Sequence, residues 1–252
     1  MVYARLWSIE NHSHLAAMFS LFSRLSSKSA SQPKVPILSS TTSRDWRNLR
    51  RVQVGCGPKN AYPDWWNVDL RAFPGIDQQL DVTHEWPFAE LDYVYAEHFL
   101  SALFIDDAVE WFRKVGLSLR KGGRIRISTP NLRWVYRTHF KIDSPDVRRR
   151  IDDTFTLNRA FHGWGYKFLY TPEMLTYILT ELGYEDVGLH SYGVSNCADL
   201  NNIERHGGYS IVDGDPSVVI IEGMRGDKTI QGSAKFLEDI EESFAKYVKH
   251  GH

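Results

Sequence analysis

Cysteine is nearly absent: Cys56 and Cys197 are the only two in 252 residues. Cys56 sits inside a glycine turn, a poor place for a structural bridge, so no disulfide framework is expected and a reducing compartment is the plain inference. No Cys/His spacing of the metal-binding kind occurs, and no metal is expected. Long apolar runs are missing too. Nothing approaches the roughly eighteen consecutive apolar residues of a membrane-spanning helix. An excess of charge of one sign is also lacking: 30 Lys and Arg stand against 31 Asp and Glu, for a formal net charge of −1. Without a positive field, nucleic acid and anionic membranes are unattractive partners, and specificity has to come from a local site. What is present, 42% hydrophobic and 24% charged residues, is ordinary globular composition, ample for one α/β domain with additions.

Acidic residues are scarce in the first segment. Between Met1 and Arg44 there is only Glu10, against Arg5, Arg24, Lys28, Lys34 and Arg44. Leu15, Met18, Phe19, Phe22 and Leu25 fall on one helical face, and a serine-rich stretch follows. Two readings stay open. The segment is an organelle-targeting peptide over residues 1–30, or it is an N-terminal helix followed by a Ser/Pro linker in an otherwise cytoplasmic protein.

Order resumes near Trp46. Strands are expected at Arg51–Val54, at Trp66–Leu70, as an edge element within Asp77–Val82, and at Leu91–Ala96. Ala108, Trp111, Phe112, Val115 and Leu119 make one apolar helical stripe, with Asp107 and Glu110 as a capping-box pair and Gly122-Gly123 as the stop. A strand at Arg124–Ser128 stops at Pro130. Thr171-Pro172-Glu173 opens another helix, which Gly183 closes. Late strands are expected at Val187–Leu189 and Ser217–Ile221, and a terminal helix at Lys235–Val248. This succession describes an α/β fold, a Rossmann-like, mostly parallel sheet with helices on both faces. Such sheets bind ligands at the carboxyl ends of their strands.

Val54-Gly55-Cys56-Gly57 follows the first strand directly, so backbone without a β-carbon can approach a ligand. Asp69, at the end of the next strand, is placed to accept hydrogen bonds from both hydroxyls of a ribose. A dinucleotide also needs a helix N-terminus for its pyrophosphate. Pro58 and Pro63 interrupt the stretch where that helix should run, and Asn60 stands where a third glycine belongs. S-adenosylmethionine (SAM) carries no phosphate and tolerates a short, irregular connection. It is the expected cofactor.

Val-Gly-Cys-Gly, Trp-Trp-Asn-Val-Asp, Asp81-Val82-Thr83, Trp86-Pro87-Phe88, Ala96-Glu97-His98, Leu119 to Ile127 and Thr129-Pro130-Asn131-Leu132 follow one another in order. The set resembles class I SAM-dependent methyltransferases, in particular predicted ones found beside polysaccharide-assembly enzymes, from about Arg51 to Met224. The resemblance implies a cofactor site built from Val54, Gly55, Cys56, Gly57, Asp69, Leu70, Asp81, Val82 and Glu97. Gly55 and Gly57 would pack under the methionine part, Asp69 would hold the ribose, and Asp81 with Val82 would face the adenine. Glu97 and His98 would lie by the transferable methyl group. One departure stands out: Ser101-Ala102 replaces a second Glu-His pair typical of the family, which implies a changed acceptor or weakened activity.

An oxygen acceptor needs a base, and His98 is the first candidate, with Glu97 orienting it or touching the cofactor. The alternative is that His98 starts the next helix and bonds backbone. His162, in Phe-His-Gly-Trp-Gly, is the second candidate, on a lid or a tight turn. Arg133 to Arg159 either grips a phosphate-bearing acceptor or forms a solvated helix face balanced by Asp143, Asp146, Asp152 and Asp153. Arg205 and His206 are further acceptor-side candidates. The organisation expected is an extension over 1–44, a methyltransferase domain over 45–225 with an acceptor-side insertion at 133–170, and a C-terminal helix within 226–252. The expected function is SAM-dependent methylation of a small-molecule or glycan-like acceptor, on oxygen. A catalytically degenerate methyltransferase-like binding or scaffold protein is the alternative, and an NAD-dependent oxidoreductase the disfavoured third.

Overall fold

The computed structural model describes residues 44–140, 144–230 and 238. The expectations for residues 1–43, for Asp143 and, Glu238 apart, for 231–252 lie outside the described residues. Glu238 is helical, whereas residues 226–230 are not.

Strands β1 (Arg51–Val54), β2 (Trp66–Asp69), β3 (Gln78–Gln79), β4 (Leu91–Glu97), β5 (Leu119–Pro130), β6 (Glu185–Leu189) and β9 (Val218–Met224) make one seven-stranded sheet. A small ribbon, β7 (Ile211–Val212) with β8 (Asp215–Pro216), stands apart. The order is β3-β2-β1-β4-β5-β9-β6. All pairs from β3 to β5 are parallel, and β9 runs antiparallel to both β5 and β6. From β1 the chain steps outward to β3, then returns to place β4 on the other side of β1. That reversal opens a crevice at the carboxyl ends of β1 and β4. The Rossmann-like, mostly parallel sheet expected from the sequence is the one observed.

Alternation along the strands decides the two faces. After the short helix α1 (Trp46–Leu49), Val52 and Val54 join Val94, Ile125 and Ile127 on one side, where α2 (Ile105–Ser118) buries Ile105, Ala108, Trp111, Phe112 and Val115. Helix α5 (Pro172–Glu181) adds Leu175, Ile178 and Leu179 to the same core. Each such side chain contributes about 1.5–3 kcal/mol by leaving water. The other face carries polar residues: Gln53, Asn67, Arg126 and Glu222 are all buried. Irregular chain covers them, with Trp65, Ile203 and Leu200 (in a 3-10 turn at Ala198–Leu200) packed around Tyr95.

Arg126 is fully buried and donates from Nε to Glu204 at 2.6 Å and from Nη1 to Glu222 and the Val194 carbonyl. Glu204 in turn accepts the Gly193 N–H at 3.0 Å. This cluster ties the strand to the 193–204 stretch.

Several boundaries differ from the expectation. Helix α2 begins at Ile105, after Phe104, and has no side-chain cap; Asp106 and Asp107 lie in its first turn, where a negative charge suits the helix dipole. The Asp107–Glu110 capping box is therefore not formed. The helix stops at Ser118 because Leu119 already pairs with Leu91 in the sheet. Gly122 instead sits inside β5 with φ +82°. Pro130 does not stop the strand but ends it in pairing with Val218. Helix α5 follows its signals: Thr171 accepts the Met174 N–H at 3.3 Å, and Gly183 has φ +91°. The arginine-rich segment folds into α3 (Leu132–His139) and α4 (Val147–His162). On α4, Arg149 meets Asp153 at 3.1 Å and Arg148 lies 3.8 Å from Asp152, so these arginines belong to a solvated helix face.

Candidate active site

Gly55 leaves β1 with φ +66°, a left-handed conformation that glycine adopts without strain. A β-carbon there would stand 2.9 Å from Phe99 Cβ. Gly55→Ala is therefore expected to destabilise the fold by at least ~1–2 kcal/mol, the usual left-handed cost for an L side chain. Chemical denaturation would measure it, and an unchanged midpoint would contradict this account. Gly57, φ +61°, donates its N–H to Asp69 Oδ2 at 3.0 Å, and Arg71 N–H donates to Oδ1 at 3.0 Å. The carboxylate is thus held rigidly, and each oxygen keeps a further lone pair for a ligand hydroxyl.

A cavity of about 790 Å³ opens over these groups, at the strand ends where the order reverses. Val54, Gly55, Asp69, Leu70, Asp81 and Val82 all line it. Asp81 is held by Thr83 Oγ1 at 2.6 Å and Thr83 N–H at 3.0 Å, with His84 Nδ1 at 3.1 Å. The Thr83 hydroxyl, above all, keeps its carboxyl below the usual range. Cys56 is buried and does not line the cavity. Burial first, then the Asp69 charge, pushes its thiol up to about 11, so it is no nucleophile at neutral pH. Residues 55–65, between β1 and β2, contain no helix. Nothing there offers the helix N-terminus that a pyrophosphate would need.

His98 sits at the end of β4 with φ +52°, strained for a non-glycine residue. Its backbone N–H donates to the Ser128 carbonyl at 2.8 Å. Nε2 is sealed from solvent and has no hydrogen-bond partner among the described residues. The ring stacks on His206 with centroids 3.8 Å apart. Burial, followed by the His206 charge, depresses the imidazole to about 4, so it is neutral at physiological pH. His98 also lines a second cavity of about 470 Å³, which shares Trp164 with the first. The imidazole therefore stands in the wall between two chambers.

Glu97 lines neither chamber. Its Oε1 accepts the backbone N–H groups of Arg205 at 3.0 Å and His206 at 2.9 Å. It holds the loop that places His206 on His98. His162, the last residue of α4, is exposed and lines neither chamber; the turn after it delivers Trp164 and Tyr166 instead. Ala102 lines the first chamber, while Ser101 is buried beneath it and its carbonyl accepts the Lys167 N–H at 2.8 Å. Among the described residues, no group of three or more His, Cys, Asp or Glu side chains is placed to hold a metal ion, and no helix is long and apolar enough to cross a membrane.

Sequence reasoning singled out His206 only as an acceptor-side candidate and gave no role to Trp134 or Tyr166. The aromatic density around the Gly-Trp-Gly turn was the signal available for the latter.

No protein-family model matches the chain, and no curated protein sequence matches it. Solved structures of similar layout include a SAM-dependent methyltransferase from Archaeoglobus fulgidus, with TM-score 0.44 and 16% identity over 69% of this chain and 84% of that one. A SAM-dependent methyltransferase from Thermotoga maritima gives 0.45 and 15% over 70% and 82%. Human N-acetylserotonin methyltransferase in complex with SAM gives 0.39 and 14% over 73% and 50%, so this chain spans about half of that protein's length. At scores this low the likeness carries no argument about site or substrate, and the fold rests on the sheet itself.

Proposed function

We propose that this chain is a SAM-dependent methyltransferase acting on oxygen of a small-molecule or glycan-like acceptor. The observation that carries the reading is His98: a strained, neutral imidazole with an unpartnered buried Nε2, in the wall between the Asp69 chamber and a second chamber. The first chamber suits the cofactor. Asp69 has acceptor capacity for ribose hydroxyls, Gly55 gives backbone without a β-carbon, and residues 55–65 offer no helix N-terminus to a pyrophosphate. Bound there, SAM supplies a methyl group on a sulfonium, whose sulfur keeps the C–S electron pair when the acceptor oxygen takes the carbon.

The chain's own residues do the rest. The His98 imidazole receives the acceptor proton, and its neutrality avoids placing a second cation beside the sulfonium. Glu97 acts through backbone, fixing the 203–206 loop and with it the ring stacked on His98. Asp69 and Asp81 orient the nucleoside, and residues 133–170 contribute Trp134, Trp164 and Tyr166 to the acceptor side. Much of the rate then comes from alignment, which supplies up to ~7–11 kcal/mol in well-oriented reactions.

Calorimetric titration with SAM, S-adenosylhomocysteine and NADH tests this directly. Both sulfur ligands should bind and NADH should not. Asp69→Ala should weaken them about 10–100-fold, the loss of one or two charge-assisted hydrogen bonds. Binding of NADH alone, or of none of the three, would sink the proposal.

A further inference from the structure

The second chamber has a chemical character of its own. Trp134, Trp164 and Tyr166 form aromatic walls, with Val135, Pro130 and Val218 completing an apolar lining. Among the described residues, no Lys, Arg, Asp or Glu lines it. Of the nearby cations, Arg133 bonds Glu173 at 2.7 Å, Arg137 pairs with Asp215, and Arg159 lies 5.8 Å over the Trp164 ring, itself outside the lining. A phosphate or carboxylate on the acceptor would enter without a counter-charge in the lining and lose its hydration uncompensated. A sugar ring fares little better. Each of its hydroxyls needs a partner when it leaves water, and the lining side chains that can accept a proton are His98, His206, Ser217 and Tyr166. Ser217 Oγ already takes the Ser210 N–H at 3.1 Å.

We infer that the acceptor is an uncharged aryl hydroxyl compound of one or two fused rings, seated between Trp134, Trp164 and Tyr166 with its hydroxyl at the His98 imidazole. The inference rests on the methyltransferase reading and narrows it to a substrate class. A flat ring meets aromatic walls on its faces and edges, a favourable contact beyond the area it buries. The unpartnered buried nitrogens of the lining residues are His98 Nε2 and Trp134 Nε1, and of the two side chains only the imidazole can take up a proton. The proton passes from the aryl oxygen to the imidazole and leaves to solvent once product departs. The depressed basicity of His98 agrees: a phenolic hydroxyl, with pKa roughly 10, loses its proton to a weak base far more readily than an alkyl hydroxyl does.

The test uses the full chain with naphthol, methyl glucoside and phenyl phosphate as probes, with and without S-adenosylhomocysteine. Tryptophan fluorescence and ligand-observed NMR report binding without turnover. Naphthol should bind and the other two should not. Trp164→Ala should weaken naphthol about tenfold, as the loss of one ring contact predicts, and Trp134→Phe, which keeps a smaller ring, about two- to threefold. Trp134→Phe fills most of the same space and removes an indole N–H that has no hydrogen-bond partner among the described residues. It should keep the fold and, because Trp134 lines only the second chamber, S-adenosylhomocysteine binding. Preference for the glucoside or the phosphate overturns the inference, as does naphthol binding indifferent to both tryptophans. Failure of S-adenosylhomocysteine to bind, with tryptophan-dependent naphthol binding intact, would instead remove the cofactor reading and leave the ring chamber standing.

Discussion

His98→Asn is expected to lower kcat about 10²–10⁴-fold while changing SAM binding only a few-fold, the effect of losing a general base. Asparagine is the informative replacement, because it tolerates the left-handed backbone at φ +52° and cannot take up a proton at neutral pH. Steady-state kinetics beside calorimetry would separate the two quantities. A variant with unchanged kcat would show that His98 only bonds backbone. In the unmodified protein the pH–rate profile should be flat near 6.5, the ordinary imidazole value, and fall toward about 4, where His98 becomes charged. The same shift has a stability consequence with a definite sign. Below pH 6.5 the unfolded chain takes up the His98 proton first, so folding becomes less favourable as pH drops toward 4.

Arg126→Met should cost about 3–5 kcal/mol of folding stability, the largest single effect expected of any substitution away from the chambers. Removing the guanidinium leaves Glu204, fully buried at its side chain, without its cation, and leaves the equally buried Glu222 only Arg124 at 3.9 Å and His190 at 3.6 Å. Equilibrium urea unfolding would read the loss. Replacing all three by apolar residues of similar volume should recover most of it, since the pair's attraction mainly offsets its own desolvation. If Arg126→Met loses under 1 kcal/mol, the carboxylates are not held as ions by this arginine.

The strand–glycine turn–strand–acid core was legible because its signals are local. Gly55 and Gly57 lie on the same turn, and Asp69 follows one strand later. Thr171-Pro172 was legible for the same reason. The start of α2 was not, since Ile105 enters the helix without a capping side chain and the carboxylates at 106 and 107 sit inside the first turn. Strand β5 reached two residues beyond Ser128, to Pro130, because β9, which begins at Val218, supplies the pairing there. The role of Glu97 was hidden by distance. Its partners, the N–H groups of Arg205 and His206, come from more than a hundred residues downstream. His162 drew notice for its residue type, but the end of α4 turns it outward and brings Trp164 in.

The helix-free connection over residues 55–65 has a consequence for the order in which the molecule assembles. Parallel strands usually gain from the helix between them, which forms early from neighbouring residues. Here β1 and β2 have no such local scaffold. Their connection is fastened by the Asn67 amide to the carbonyls of Tyr62 and Trp65, each at 2.9 Å, and by residues from far along the chain. Tyr62 hydroxyl donates to the Ile203 carbonyl, Arg205 lies 3.6 Å over the Tyr62 ring, and Arg51 meets Asp199 at 2.9 Å. On a ribosome, β4, α2 and β5 can therefore come together well before the Asp69 side is secured. A nascent chain halted before residue 197 would carry the glycine turn and the carboxylate, yet lack the strap that seats them.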